Sequence, residues 1–267
     1  MTLLHLFIIA VIQGITEFLP ISSSGHLILL PNLTGMQDQG QAIDVAVHMG
    51  TLAAVVLYFW TDVKTGLSGV PRMLTGRIDT PGSRLAFLLM IATIPVIVVG
   101  LIMKLTGIDE MLRGIAVIGW TMLIFGIVLY WVDQRGPIDK TETDWNIKDA
   151  IIIGLWQAVA LIPGTSRSGI TITAARHLGY ARHDAAKLSM LMSIPTIFAS
   201  GALLSAQVIK EGNAEVAKEG LIAAGLTFVS ALLALSLMMR LLRSVSFTPY
   251  VIYRVILGVI LLYIAYT

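Results

Sequence analysis

The sequence predicts an all-α polytopic membrane protein: six transmembrane helices plus two re-entrant helical hairpins in an inverted-topology repeat. Three observations predict it. Hydrophobic residues make up 56% of the 267-residue chain and charged residues 13%, against about 25% charged in an average soluble domain. The apolar residues gather into runs near the ~20 residues that cross a ~30 Å hydrocarbon core. Two of those runs are interrupted by proline, glycine, serine and charge, and the interruptions look alike. This composition excludes a soluble globular enzyme and a disordered chain. The 18 basic and 16 acidic residues nearly cancel, which argues against nucleic acid as a partner. The chain has no cysteine, so thiolate metal sites, cysteine nucleophiles and disulfides are excluded.

Residues 3–30 form the first interrupted run, with Gln13, Glu17, Pro20, three serines and His26 inside it. No Lys or Arg precedes it and no small-residue cleavage site follows. It therefore reads as part of the mature fold rather than a secretory signal. Spans follow at about 45–60, 85–103 and 114–131. The second interrupted run, residues 150–178, contains Gln157, Pro163, Gly164, Ser166, Arg167, Ser168 and Gly169. Three more spans follow at about 185–206, 219–239 and 248–266. Broken backbone at membrane depth is tolerated only where protein buries it or water reaches it. Both interrupted runs therefore read as hairpins that enter and leave on one side.

At an offset of 144 residues, Gln13 falls on Gln157, Ser22 on Ser166, Ser24 on Ser168 and Gly25 on Gly169. The chain reads as a single membrane domain of two repeats, about 1–135 and about 145–267, each a hairpin plus three spans. An odd number of crossings turns the second copy upside down, which places a site at the interface between repeats.

Charge supplies the orientation. Lys64, Arg72, Arg77, Arg84, Arg135, Lys140, Lys148, Arg176, Arg182, Lys187, Arg240 and Arg243 fall on one side of this topology. Only Lys104, Arg113, Lys210 and Lys218 fall on the other. By the positive-inside rule the first side is cytoplasmic, and both termini and the mouth of the first hairpin face outward. Tyr58, Trp60, Tyr130 and Trp131 sit at predicted cytoplasmic helix ends, where interfacial aromatics belong.

Arg167, Arg254 and Glu17 remain within apolar segments. A charge at the bilayer centre costs ~2.5–3.5 kcal/mol on insertion scales, so such residues mark function or a buried structural pair. Gln13 and Glu17, four residues apart, share one helix face. Glu17 can bind a hard cation or take a proton. Gln13 can offer a neutral carbonyl or a helix–helix hydrogen bond. Ser22, Ser23, Ser24 and Gly25 open a helix; such serines serve as N-caps, and a helix start attracts anions. A hydroxyl beside a base can also be a nucleophile. His26 is a candidate base or leaving-group acid, or a satisfied buried polar group. Gly164, Thr165, Ser166, Ser168 and Gly169 can cradle phosphate, and Arg167 can clamp an oxyanion through two hydrogen bonds. The block is not a Walker A loop, because Ile170 and Thr171 stand where Lys-Ser/Thr is needed. His48 is a packing residue or a neighbour of the site, and Arg254 a snorkelling or paired residue. Glu211, Glu215 and Glu219 read as a solvated outer face.

Gln13-Gly-Ile-Thr-Glu17-Phe-Leu-Pro-Ile-Ser-Ser-Ser-Gly-His26 and Pro163-Gly-Thr-Ser-Arg-Ser-Gly169 resemble the two signature blocks of the undecaprenyl-pyrophosphate phosphatase family, also called bacitracin-resistance proteins. Residues Ser246 to Arg254 are similar as well. The resemblance implies an enzyme of the bacterial plasma membrane. It would hydrolyse the terminal phosphate of undecaprenyl pyrophosphate at the outer leaflet, recycle the peptidoglycan lipid carrier and confer bacitracin resistance. It implies Ser23 as nucleophile, Glu17 and His26 as acid/base or metal groups, and Arg167 as phosphate clamp. It also implies a divalent cation, Mg²⁺ or Ca²⁺, with Glu17 as ligand. Where the family has glutamate or glutamine this chain has Gln13, so a two-carboxylate metal site is not expected. A transporter or flippase of an anionic lipid is the alternative, since inverted repeats are common in that class. A PAP2-type phosphatase is excluded in practice: Thr173 stands where its nucleophilic histidine would be. A homo-oligomer is compatible with the sequence.

Overall fold

The computed structural model describes residues 1–35, 38–211 and 214–267, without the side chains of 32, 33, 203–211, 214 and 215. The side chains of Lys210, Glu211 and Glu215 therefore lie outside the described residues. In chain order the helices are α1 (Leu3–Thr16), α2 (Ser23–Thr34), α3 (Gly40–Tyr58), α4 (Trp60–Leu74), α5 (Pro81–Thr106), α6 (Ile108–Met111), α7 (Ile115–Arg135), α8 (Ile147–Val159), α9 (Arg167–His177), α10 (Arg182–Glu211), α11 (Ala214–Leu241) and α12 (Thr248–Tyr266). The described residues contain no strand, only an isolated bridge between Lys140 and Tyr180.

Among the described residues, five helices are long and apolar enough to cross a membrane: α3, α5, α7, residues Val216–Leu241 of α11, and α12. These match five of the six expected spans. The sixth stretch, 185–206, falls inside α10. Both interrupted runs are a helix, a break and a second helix: α1 and α2 around residues 17–22, α8 and α9 around 160–166.

Local chemistry sets several of the boundaries. Thr80 caps α5 by accepting from the Ser83 N–H, with Ser83 returning the bond in a capping box and Pro81 at the first position. Asn146 caps α8 by accepting from the Asp149 N–H. The stretch 61–84, which carries Lys64, Arg72, Arg77 and Arg84, is mostly helix. α4 has two close glycine contacts with the start of α5: a Cβ on Gly69 would lie 2.1 Å from the Gly82 carbonyl carbon, and one on Gly82 would lie 2.2 Å from Thr65 O. Small residues let helix backbones approach in this way.

The packing is reciprocal. α1 lies on α11 and α8 lies on α5, so each hairpin packs on a long helix from the other half. The close approach recurs at both contacts: a Cβ on Gly14 would meet Ser230 Oγ at 1.9 Å, and one on Gly154 would meet Ala92 O at 2.6 Å. The main core joins Phe18 of the first break to Ala54, Leu88, Ile153, Leu191 and Leu235 of the surrounding helices.

One charge assignment changes. Arg176, read as a loop charge, is 1% exposed and bonds Asp133 Oδ1 at 3.1 Å, Pro137 O at 2.9 Å and Tyr180 O at 2.6 Å. Asp133 also accepts from Arg182 Nε at 2.8 Å. Asp149 is buried as well, and accepts from Lys140 Nζ at 2.8 Å and Tyr180 Oη at 2.7 Å. Such charges are tolerated because each is paired and hydrogen-bonded.

Candidate active site

The two breaks end in the same geometry. Ser22 (φ 74°) and Ser166 (φ 71°) are the non-glycine residues with positive φ among the described residues. That conformation costs of order 1–3 kcal/mol and persists only where its surroundings impose it. Here it turns each serine into the cap of the next helix. Gly25 N–H donates to Ser22 Oγ at 3.3 Å, and Gly169 N–H to Ser166 Oγ at 3.1 Å. Each capping oxygen also meets a second serine hydroxyl, Ser24 at 3.4 Å and Ser168 at 3.2 Å. Two helix N-termini are thereby presented at the junction of the halves.

Cross-links hold the breaks together. Ser168 Oγ donates to Leu19 O at 2.9 Å. Arg254, with no exposed surface, donates to Pro20 O (3.4 Å) in the first break and to Gly164 O (3.1 Å) and Thr165 O (2.9 Å) in the second. Its remaining bonds reach Met122 O (3.2 Å) and Thr121 O (3.3 Å) on α7. Arg254 therefore neither snorkels nor joins an ion pair; its bonds run to backbone carbonyls in three places. Thr121 Oγ1 completes the frame by donating to Pro163 O at 2.6 Å.

Glu17 stands at the centre, 8% exposed. Its Oε1 accepts from Arg167 Nη2 at 2.9 Å. Its Oε2 accepts from Ser23 Oγ at 2.5 Å and from Gln13 Nε2 at 3.1 Å. His48 Nε2 lies 3.9 Å from the same oxygen, so the weaker histidine candidate is drawn to the site. Arg167 Nη1 donates to Ser189 O on α10 at 3.1 Å. These two contacts use two of the guanidinium's five N–H groups.

The structure brings together Gln13, Glu17, Ser23 and Arg167 as the sequence anticipated. It places His26 differently. The ring is partly buried, with Nδ1 2.6 Å from Ser22 O and Nε2 2.5 Å from Tyr253 Oη, so its polar contacts are with neither Ser23 nor Glu17. Ser24 is exposed, Gly25 and Gly169 are buried in the first turns of α2 and α9, and Gly164 (φ 86°) makes a turn only glycine adopts easily. Thr165 Oγ1 and Gln13 Oε1 are buried with no hydrogen-bond partner among the described residues. Ser189, whose hydroxyl meets Thr171 Oγ1 at 2.7 Å, carries no motif. Tyr253 lies in the Ser246 to Arg254 block that resembles the family, but nothing local joins position 253 to position 26.

The model of the family described as Bacitracin resistance protein BacA matches residues 6–260 of this chain. The chain belongs to that family. It is 70% identical over 266 residues to the undecaprenyl-diphosphatase of Jannaschia sp. (strain CCS1), covering 100% of both chains. It is 67% identical over 267 residues to the undecaprenyl-diphosphatase of Ruegeria pomeroyi, again over 100% of both. With the undecaprenyl-diphosphatase of Chromohalobacter salexigens it shares 48% identity over 261 residues, 97% of each chain. The match to the family runs through both breaks, so the whole site lies inside it.

Proposed function

We propose that this chain is a membrane lipid diphosphatase that hydrolyses undecaprenyl pyrophosphate to undecaprenyl phosphate and inorganic phosphate. In doing so it recycles the peptidoglycan lipid carrier and gives resistance to bacitracin. Full-length relatives named undecaprenyl-diphosphatase support the substrate. The observation that carries the chemistry is the chain of contacts from Ser23 Oγ to Glu17 to Arg167, which crosses both breaks within 3 Å steps.

Each side chain then has a role. Glu17 takes the hydroxyl proton of Ser23 as its oxygen attacks the terminal phosphorus. Arg167 turns its remaining N–H groups, with the N-termini of α2 and α9, onto the phosphoryl oxygens where negative charge spreads. The bond from the terminal phosphorus to the bridging oxygen breaks, and His26 protonates that oxygen as undecaprenyl phosphate leaves. Water then releases phosphate from Ser23. The donors beside Glu17 suit a hard cation: its carboxylate and the unpartnered carbonyl oxygen of Gln13. Bound there, Mg²⁺ or Ca²⁺ would supply further neutralisation of the diphosphate. Among the described residues no group of three or more His, Cys, Asp or Glu forms a metal cluster, so substrate oxygens and water would complete such a shell.

The finer topology belongs to the same reading. Six spans and two re-entrant hairpins form an inverted repeat, with the site opening to the outer face and both termini outside. The matched Ser22 and Ser166 caps and the reciprocal hairpin packing support it. The test of the nucleophile is to quench turnover of ³²P-labelled polyprenyl diphosphate with acid and map the label. The scheme expects label on the Ser23 peptide and a Ser23→Ala variant at least 100-fold slower, on the scale of losing a nucleophile. Full turnover by Ser23→Ala would transfer the attack to water.

A further inference from the structure

Tyr253 lies on α12 beside Arg254 and is 42% exposed. Its phenol oxygen sits 2.5 Å from His26 Nε2. The two ring planes lie within 10° of each other with centroids 5.7 Å apart, edge to edge about that hydrogen bond. On the far edge of the imidazole, Nδ1 is 2.6 Å from Ser22 O. A carbonyl only accepts, so Nδ1 carries a proton in either charge state. The Ser22 carbonyl is itself held, because Ser22 is locked at positive φ by its cap on Gly25.

Nε2 is therefore the one imidazole atom that can exchange a proton during turnover, and Tyr253 is its partner. In neutral His26 the phenol O–H donates to Nε2. In protonated His26 the Nε2–H donates to the phenol oxygen. A hydroxyl can play both parts, so the contact survives the change of charge. The bonds on the two edges of the ring, to Ser22 O and Tyr253 Oη, hold its plane.

We propose that Tyr253 is the proton relay of the phosphatase reaction: its phenol takes the proton of His26 Nε2 and passes its own to the departing phosphate oxygen. This rests on His26 being the leaving-group acid. As the phenol O–H gives its proton to that oxygen, the phenol oxygen takes the proton of Nε2, so the phenol ends neutral; it then turns to donate to the bare nitrogen, and only His26 and the leaving phosphate change their charge. Other residue types would fail. Phenylalanine keeps the ring and loses the hydroxyl, and leucine loses both.

The experiment is a double-mutant comparison with a chemical readout beside it. Tyr253→Phe should lower kcat on a polyprenyl diphosphate about three- to tenfold, the scale of one hydrogen bond, with KM within about twofold. In a His26→Gln background the same change should cause no further fall, since a residue acting through His26 has nothing left to act on. Diethyl pyrocarbonate, read by mass spectrometry of the His26 peptide, should modify His26 faster in Tyr253→Phe, because the Nε2 lone pair is released. An equal loss in both backgrounds would overturn the proposal, as would unchanged kcat and unchanged His26 reactivity in Tyr253→Phe. Full activity in His26→Gln would instead sink the acid assignment. Even then the His26–Tyr253 contact would be read independently by the modification rate.

Discussion

Arg254→Met removes the residue that ties the two breaks to α7. Five bonds are lost, to Pro20, Thr121, Met122, Gly164 and Thr165 carbonyls. Hydrogen bonds inside membrane proteins average ~0.6 kcal/mol, and those in water-soluble cores ~0.5–1.5 kcal/mol. Five of them give roughly 3–7 kcal/mol of destabilisation. Methionine is similar in length and apolar, so the cavity contribution is small. Opposing this is the relief of a fully buried guanidinium with no carboxylate partner among its bonds, whose desolvation is itself expensive. The geometry makes the hydrogen bonds dominate, because the carbonyls of Gly164 and Thr165 lie in a break and not in a continuous helix. Thermal unfolding of the purified protein in detergent should show a lowered midpoint. Phosphate release should fall about 100-fold, the cost of misplacing reacting groups by about 1 Å. Arg254→Lys should fall between, since an ammonium has three donors and lacks the planar fork. If Arg254→Met melted at or above the wild-type temperature and kept its kcat, the role of Arg254 as a tie between the breaks would be refuted.

Arg167→Lys should keep a positive charge near Glu17 but lose the fork that spans Glu17 and Ser189. We expect kcat/KM for the lipid diphosphate to drop at least tenfold with little change in melting temperature; a wild-type kcat/KM would contradict the phosphate-clamp role. Gly14→Val should destabilise strongly, because its Cβ would meet Ser230 Oγ at 1.9 Å and Ala231 N at 2.8 Å. Its melting temperature should fall several degrees, and unchanged melting would refute the α1–α11 packing. The chain has no cysteine, so single introduced cysteines report sidedness cleanly. Met111→Cys should react with an impermeant maleimide from outside intact cells, and Thr75→Cys only after permeabilisation. The reverse pattern would invert the topology.

The breaks were legible because charge, proline and serine inside apolar runs are costly and therefore conspicuous. Ser22 and Ser166 could be placed in matching positions, and Glu17 and Arg167 in matching breaks, before any coordinates. What they bond to could not. His26 turns to Tyr253 because Ser22 O fixes one side of its ring, and the partner lies 227 positions away. Asp133, Asp149 and Arg176 stand at the ends of apolar runs, and nothing in the sequence marks them as buried. They are buried because the segment after α7 and the turn after α9 fold over those ends, a tertiary event with no local signature. α4 was missed for another reason: a search for long apolar spans passes over an amphipathic helix with Asp62, Lys64 and Arg72 on it.

The central claim is that Glu17 and Arg167, meeting across the two breaks, run a diphosphatase. The most direct measurement is phosphate release from undecaprenyl pyrophosphate by the purified protein, wild type beside Glu17→Ala and Arg167→Ala, each with and without EDTA. The account predicts release by the wild type, its loss with EDTA, and at least a 100-fold lower rate in each variant. Wild-type rates in both variants, or lipid movement without any phosphate release, would contradict it.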